Sequence, residues 1–241
     1  MNLLDTNCVK DSWPRAFYFP NYVTEDEEES LLQFISSSPK PKWQHLSNRR
    51  LQMWGGTPTA KGMIAEPLPD WILPYTDKLV DLGAFTPASK PNHILINEYL
   101  PGQGIMPHED GPYYHPVVTT ISLGCYTFLD FFRPVPETEN YSLENRYLFS
   151  LFLEPRSLVV LTEDMYKNCL HGIAPQCEDS VIVNHIANFD LLSKDTKDLL
   201  TKHESLGTKL ERTDTRVSVT IRNVPKIIKL NSHLSSWFKP T

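Results

Sequence analysis

The residues His108, Glu109 and Asp110 stand together in this chain. A His-x-Asp pair on one strand or tight loop can offer two ligands to a single metal ion. Two histidines and one carboxylate on one face of a metal bind non-haem Fe(II) and leave the opposite positions open for substrate and O2. Such a pair is common by chance and lacks a third ligand, so the surrounding sequence must decide whether it binds metal.

The best candidate for the third ligand is His171, which lies 63 residues downstream and just after an apolar segment that ends at Leu161. Side chains alternate along a strand, so His108 and Asp110 would point to the same side. We expect His171 to face them from a strand on the other side of a sandwich.

The segment from residue 216 to residue 222 alternates between apolar and polar side chains, as expected for a β-strand. Its polar members are Arg216, Ser218, Thr220 and Arg222. If this face lined the inside of a barrel, its two arginines would each need an anion, because an unpaired buried charge is costly. A small dicarboxylate would serve both, since guanidinium groups bind carboxylates through two parallel hydrogen bonds. The alternative is an edge strand whose polar face meets water.

The composition indicates a single β-rich domain. The chain has 241 residues, 40% of them hydrophobic, and no linker-like break divides it. Twenty prolines against ten glycines favour short strands and rigid turns. The patterns predict a β-rich α+β fold, a two-sheet sandwich of the jelly-roll kind, with strands over residues 93–100, 117–123, 126–132, 148–153, 157–161, 181–187 and 216–224.

Helices are expected mainly before the strands. Thr24 and Glu27 form a capping-box pattern that predicts a helix to about Ser37, and residues 69–83 have helical spacing. Residues 42–65 are typical of a loop or hairpin, and 133–146 of an exposed loop. The charged segment 188–215 is interpreted as an insertion with freedom to move.

Several patterns bear on location. The first 22 residues hold no signal-peptide core, and the chain has no run of eighteen apolar residues. The four cysteines lack CxxC spacing, which is typical of reduced thiols. We therefore expect a soluble monomer of the cytoplasm and nucleus, without membrane contact.

The net charge of −6 is unevenly distributed. Between Ser30 and Ala65 there is no acidic residue and there are five basic ones. A basic segment with tryptophans can bind phosphates and stack bases, which makes nucleic acid a candidate partner. The alternative is a solvated loop with two tryptophans in the core. The candidate nucleic-acid-binding residues are Lys42, Trp43, Arg49, Arg50 and Trp54.

Motifs in a fixed order carry a family resemblance. Asn97 to Gly102, His108 to Asp110, His171 to Ile173 and the strand Arg216 to Arg222 occur in the order found in AlkB-like 2-oxoglutarate- and Fe(II)-dependent dioxygenases, which this chain resembles. It is most similar to the sixth AlkB-homologue subfamily, through the motifs Pro39–Trp43, Leu51–Gly56 and Gly104–Pro112.

The resemblance implies a double-stranded β-helix with flanking N-terminal helices. It implies that His108, Asp110 and His171 bind iron. It also implies that 2-oxoglutarate and O2 are cosubstrates, and that a C–H bond is hydroxylated; an N-methyl group would leave as formaldehyde. The 2-oxoglutarate-binding residues it implies are Asn97, Tyr99, Arg216, Ser218, Thr220 and Arg222, with Arg216 at the distal carboxylate and Arg222 near the metal-side carboxylate. No catalytic residue beyond the metal ligands is required.

By resemblance, residues 1–92 comprise N-terminal helices and a nucleotide-recognition-lid-like segment, 93–224 the dioxygenase core with insertion 188–215, and 225–241 a C-terminal tail, all in one globular unit. The expected function is oxidative demethylation or hydroxylation of a single-stranded, damaged or modified DNA or RNA. Base-demethylating members have a second acid two residues after the metal Asp, where this chain has Pro112. Two alternatives therefore stay open: the same chemistry on a protein or small molecule, or a weakly active nucleic-acid-binding module.

Overall fold

Two antiparallel sheets face each other in the structure, a computed structural model that describes residues 3–9, 15–134 and 142–229. The strands are β1 Ala16–Phe19, β2 Gln44–Leu46, β3 Arg49–Trp54, β4 His93–Tyr99, β5 Ile105–His108, β6 Val117–Gly124, β7 Thr127–Phe132, β8 Tyr147–Leu153, β9 Leu158–Thr162, β10 Leu170–Ile173, β11 Glu178–Ser180, β12 Lys209–Glu211 and β13 Arg216–Arg222. The helices are α1 Leu3–Thr6, α2 Glu25–Ser36, α3 Leu73–Asp81, α4 Leu143–Arg146, α5 Glu163–Asn168 and α6 Lys194–Leu206.

The larger sheet has the strand order β1-β9-β6-β13-β4-β3-β2 and the smaller one β5-β10-β7-β8, while β11 and β12 form a separate pair. On one face the larger sheet packs against α2 and α3 through apolar residues such as Ile96, Val219 and Leu31. On its other face it shares an interior with the smaller sheet. This arrangement confirms the β-rich sandwich.

The position of β13 rules out the edge-strand alternative. β13 pairs with β4 on one side and β6 on the other, and all seven of its residues are buried. Val217, Val219 and Ile221 belong to the core below the helices, as the alternation predicted. The polar residues of β13 therefore face the interior between the sheets.

The predicted start of α2 is confirmed. The Thr24 side chain accepts a hydrogen bond from the Glu27 backbone, and the Glu27 side chain accepts one from the Thr24 backbone, which together form a capping box. The helix ends at Ser36, before Pro39, and the helix predicted over 69–83 spans Leu73–Asp81.

One predicted strand is wrong. Residues 181–187 do not form a strand, and Val183–His185 is a turn of 3-10 helix. Val181 and Ile186 are buried five positions apart, while Ile182 between them is 47% exposed. The short apolar run Val181–Val183 resembles a buried strand, but only Val181 within it is buried.

The segment 188–215 packs against the smaller sheet, while the freedom to move that the sequence suggested for it stays a prediction. Its residues Leu192, Leu200 and Leu210 are buried in the core of the smaller sheet. Arg212 makes two hydrogen bonds of 2.7 Å to Asp179, and both side chains are less than a tenth exposed. Half of the exposed loop predicted over 133–146, residues 135–141, lies outside the described residues, and its last four residues form the short helix α4.

Replacing Arg212 with alanine is expected to lower the free energy of unfolding by about 3 kcal/mol, because it leaves the buried carboxylate of Asp179 without its cation. Urea unfolding measures this loss. Lys209→Ala is a suitable control, since Lys209 pairs with Glu178 at the surface of the same extension and should contribute less than about 1 kcal/mol. Equal losses of stability from the two changes would contradict the conclusion that the Arg212–Asp179 pair is the main polar contact that stabilises this extension.

None of the helices described has the length and apolar run that a membrane crossing needs.

Candidate metal and cosubstrate site

Three side chains converge at one end of the space between the sheets. The ligand atoms of His108, Asp110 and His171 lie within 4.8 Å of one another. These are the residues predicted from the sequence. Among the described residues no other group of His, Cys, Asp or Glu meets the same criterion.

The route by which they meet differs from the prediction. His171 lies on β10, which is hydrogen-bonded directly to β5 in the smaller sheet, so His171 and His108 are cross-strand partners and do not face each other across the sandwich. His108 is the last residue of β5, and Asp110 lies in the loop beyond it. Strand alternation therefore does not explain why His108 and Asp110 lie close together, because Asp110 is outside the strand. The chain turns directly after Asp110, at Gly111, whose φ is 93°.

The tautomer of His108 suits metal binding. Its Nδ1 lies 2.9 Å from the carbonyl oxygen of Met106, and because a carbonyl can only accept, Nδ1 carries the proton. In the neutral ring, this leaves the lone pair of Nε2 to bind a metal. Burial lowers the pKa of His171 to about 4, against the opposing pull of Asp110, so this imidazole is also neutral at neutral pH.

Asp110 is held as a carboxylate by an arginine. Arg222 Nη1 donates to Asp110 Oδ1 at 2.6 Å, while Asp110 Oδ2 lies 3.8 Å from His171 Nε2. Burial raises the pKa of Asp110, but the positive charge of Arg222 and its hydrogen bond act against burial, and the pKa lies below its usual value. One carboxylate with two histidines is the ligand set of non-haem Fe(II) sites, so the residues fit that metal.

A cavity of about 310 Å³ extends from these ligands between the sheets. The strands β4 and β13 supply its polar wall, and apolar residues such as Leu129 and Leu161 supply much of the rest. All six predicted 2-oxoglutarate-binding residues line it: Asn97, Tyr99, Arg216, Ser218, Thr220 and Arg222.

Arg216 is a buried cation without an anion. It is 5% exposed, its Nη2 donates to Ser122 Oγ at 3.0 Å, and its Nε has no hydrogen-bond partner in the described part of the chain. No ion pair with a carboxylate is found for it within residues 15–134 and 142–229. Burial lowers its pKa to about 10, so it stays charged at neutral pH. This cation fits a ligand that brings a carboxylate into the cavity.

The basic segment is only partly free for a partner. Arg50 donates to both carboxylate oxygens of Glu98, at 2.6 and 2.7 Å, and lies over the ring of Trp43. Lys42 lies 4.2 Å from the ring centre of Trp54, and both tryptophans pack against the core. Arg49 instead lines the cavity. Both tryptophans stay partly exposed, so the nucleic-acid role of the whole segment stays a prediction.

One residue of the site was missed in the sequence. Tyr114 lines the cavity, and the Arg222 guanidinium lies 4.0 Å from the centre of its ring. The ring holds this guanidinium against Asp110 from the other side. Tyr114 lies in a loop with no periodicity, so nothing in its spacing marked it. His93 is fully buried beside this ring, and neither of its ring nitrogens is bonded to a described residue.

Comparison with known proteins agrees with this geometry. The family described as the 2OG-Fe(II) oxygenase superfamily matches residues 39–222, which include every residue of the site. A Danio rerio protein named "Probable RNA/DNA demethylase ALKBH6" is 50% identical over 238 residues, which cover 96% of this chain and 94% of the relative. "Uncharacterized protein L905" of Acanthamoeba polyphaga mimivirus is 30% identical over 216 residues, covering 86% and 83%.

The solved structure of OsALKBH1 matches 86% of this chain and 97% of its own, with a TM-score of 0.54 at 10% identity, which supports the fold. The family match alone covers more than half of the chain. On these grounds the chain belongs to the 2OG-Fe(II) oxygenase superfamily, among its AlkB-like members.

Proposed function

We propose that this chain demethylates a modified nucleic acid by coupling the oxidation to the decarboxylation of 2-oxoglutarate. The observation that carries the cosubstrate assignment is the buried, anion-free guanidinium of Arg216 in the cavity that the three metal-ligand residues also line. The substrate class is supported by the Danio rerio relative, which is named a probable RNA/DNA demethylase and is 50% identical.

The protein's contribution is to bind and orient. His108, Asp110 and His171 would hold Fe(II), and Arg216 with Tyr99 would hold the distal carboxylate of 2-oxoglutarate. Fe(II) and 2-oxoglutarate bound there would, with O2, supply the oxidant that hydroxylates a C–H bond, with 2-oxoglutarate converted to succinate and CO2. A hydroxylated N-methyl group would then break its C–N bond, transfer the hydroxyl proton to nitrogen, and leave formaldehyde and the free amine. Arg222 keeps Asp110 ionised, and the apolar side chains around Leu129 and Leu161 exclude water.

An anaerobic titration tests the cosubstrate assignment. Adding Fe(II) and then 2-oxoglutarate should produce a metal-to-ligand absorption band, and admitting O2 should yield succinate. Without a band, no oxygenase assignment survives. Succinate formed with each methylated DNA or RNA oligonucleotide tested, but without loss of methyl groups, would favour a protein or small molecule as substrate.

The partner surface is the second part of this proposal. Lys40 is exposed and Lys42 half-buried, next to the exposed hairpin strand β2, and neither is in an ion pair with a described residue. Replacing both with alanine is expected to weaken single-stranded RNA binding and to lower the magnitude of the slope of log K against log salt by about 1.4, or about 0.7 for each lysine. Lys202→Ala on α6 removes a charge from an exposed position elsewhere and is the control. An equal loss of RNA binding in the double variant and in Lys202→Ala would argue against a local site.

The monomeric state and the location in cytoplasm and nucleus stay predictions.

A further inference from the structure

Arg49 joins the hairpin to the cavity. It begins β3, the strand that connects the β2–β3 hairpin to β4. Its side chain lines the cavity, and its Nε donates to Oδ1 of Asn97 at 3.0 Å. Since Leu51 is the register partner of Asn97, this contact runs diagonally between the strands. Arg49 thus faces inward, towards the cosubstrate residues.

This contact determines which way the Asn97 amide points. A guanidinium has only donors, so the amide oxygen must face Arg49 and the amide nitrogen must face away from it. Asn97 is 6% exposed and lines the cavity. Within the described ranges, its Nδ2 has no hydrogen-bond partner. Asn97 therefore has an unused donor at a wall where an anionic ligand would lie.

The next residue, Arg50, provides the contrast. Adjacent strand residues face opposite sides of a sheet, and Arg50 pairs with Glu98 on the side away from the cavity. The two arginines thus hold the same strand to β4 from opposite faces. Of these two arginines, only Arg49 has no carboxylate partner among the residues described.

We propose that Arg49 is a positioning residue for 2-oxoglutarate: it fixes the Asn97 amide so that Nδ2 donates to the cosubstrate, and it thereby links cosubstrate binding to the order of the β2–β3 hairpin. This inference rests on the proposed function, because it takes 2-oxoglutarate as the ligand of the cavity. It reassigns Arg49 from direct nucleic-acid contact to the cosubstrate side of the hairpin.

Calorimetric titration of 2-oxoglutarate, with Mn(II) replacing Fe(II) to prevent turnover, tests the proposal. Arg49→Ala should raise the Kd about tenfold, the effect of losing one hydrogen bond to a charged ligand. Arg50→Ala, the matched control on the same strand, should leave the Kd within about twofold. Because Arg49 acts through Asn97, the double variant Arg49→Ala/Asn97→Ala should bind no more weakly than Asn97→Ala alone.

A second readout follows the hairpin itself. In the wild-type protein, 2-oxoglutarate should slow hydrogen exchange at the amides of β3, and in Arg49→Ala this slowing should be lost. Should Arg49→Ala fail to fold, Arg49→Gln takes its place; it keeps much of the side-chain length, and any amide donor it retains should make the loss smaller.

The outcomes separate clearly. An unchanged Kd in Arg49→Ala, or equal losses in Arg49→Ala and Arg50→Ala, would overturn the positioning role. Additive losses in the double variant would mean that Arg49 contacts the ligand directly, which also overturns it. If the wild-type protein bound 2-oxoglutarate but β3 exchange did not change, the link to the hairpin would be wrong. Failure of the wild-type protein to bind 2-oxoglutarate at all would instead overturn the proposed function.

Discussion

Arg216→Met should lose 2-oxoglutarate binding and yet fold at least as stably as the wild-type protein. The guanidinium of Arg216 is buried and has no carboxylate partner among the described residues, so it destabilises the ligand-free fold and is compensated only when an anion binds. Methionine keeps an unbranched side chain in the same space. We expect the Kd for 2-oxoglutarate to rise at least about a hundredfold, which corresponds to about 3 kcal/mol.

The stability of ligand-free Arg216→Met distinguishes a ligand-binding arginine from one that stabilises the fold. Urea unfolding without 2-oxoglutarate should give a free energy of unfolding equal to the wild-type value or about 1 kcal/mol above it, offset in part by the lost bond to Ser122. Arg212→Ala is the contrasting control, since Arg212 is also buried but is paired with Asp179. It should lower stability and leave the Kd for 2-oxoglutarate unchanged. A destabilised Arg216→Met that still binds 2-oxoglutarate would contradict the assignment.

Asp110→Ala should abolish metal binding and also destabilise the fold. The carboxylate is both a candidate metal ligand and the partner of Arg222, whose Nη1 donates to it at 2.6 Å. Its removal leaves a second buried arginine without an anion, at a cost of about 3 kcal/mol. Affinity for Mn(II) or Co(II), measured by calorimetry, should fall at least about a hundredfold, since one of three protein ligands is lost.

His171→Ala separates the two effects. It removes a ligand but no ion-pair partner of Arg222, so metal affinity should fall as strongly while the loss of stability stays below that of Asp110→Ala. Equal destabilisation by the two changes would show that the Arg222–Asp110 pair contributes little to folding. Retained Mn(II) affinity in either variant would mean that the metal lies elsewhere.

The sequence predicted most of the site because its signals are local. The alternation in β13 placed Arg216 and Arg222 on one polar face, the family resemblance favoured a buried one, and the segment around His171 pointed to the third ligand. The edge strand β5 was not predicted, since it contains Pro107, a residue that a strand tolerates only where its missing N–H needs no partner.

Long-range pairing accounts for the other differences. Nothing in the sequence shows that β10 pairs with β5, because register between segments so far apart depends on the whole sheet. Nor does the sequence show that the adjacent arginines differ in their contacts. Arg49 binds Asn97 at the cavity, whereas Arg50 binds Glu98 on the opposite face of the sheet. The extension 188–215 has few apolar residues, yet Leu192, Leu200 and Leu210 are enough to anchor it.

The pairing of His108 with His171 makes metal binding depend on one particular step of folding, the closure of β10 onto β5. Because these residues are opposite each other on neighbouring strands, their ligand atoms come together only after a segment 63 residues away in sequence has closed onto β5. Contacts of such separation form late, since the loop-closure entropy must be offset first. A nascent chain shorter than about 170 residues therefore has no site to load. The site exists only in the folded protein, so a bound metal ion stabilises the folded state, and with it the smaller sheet, relative to the unfolded chain.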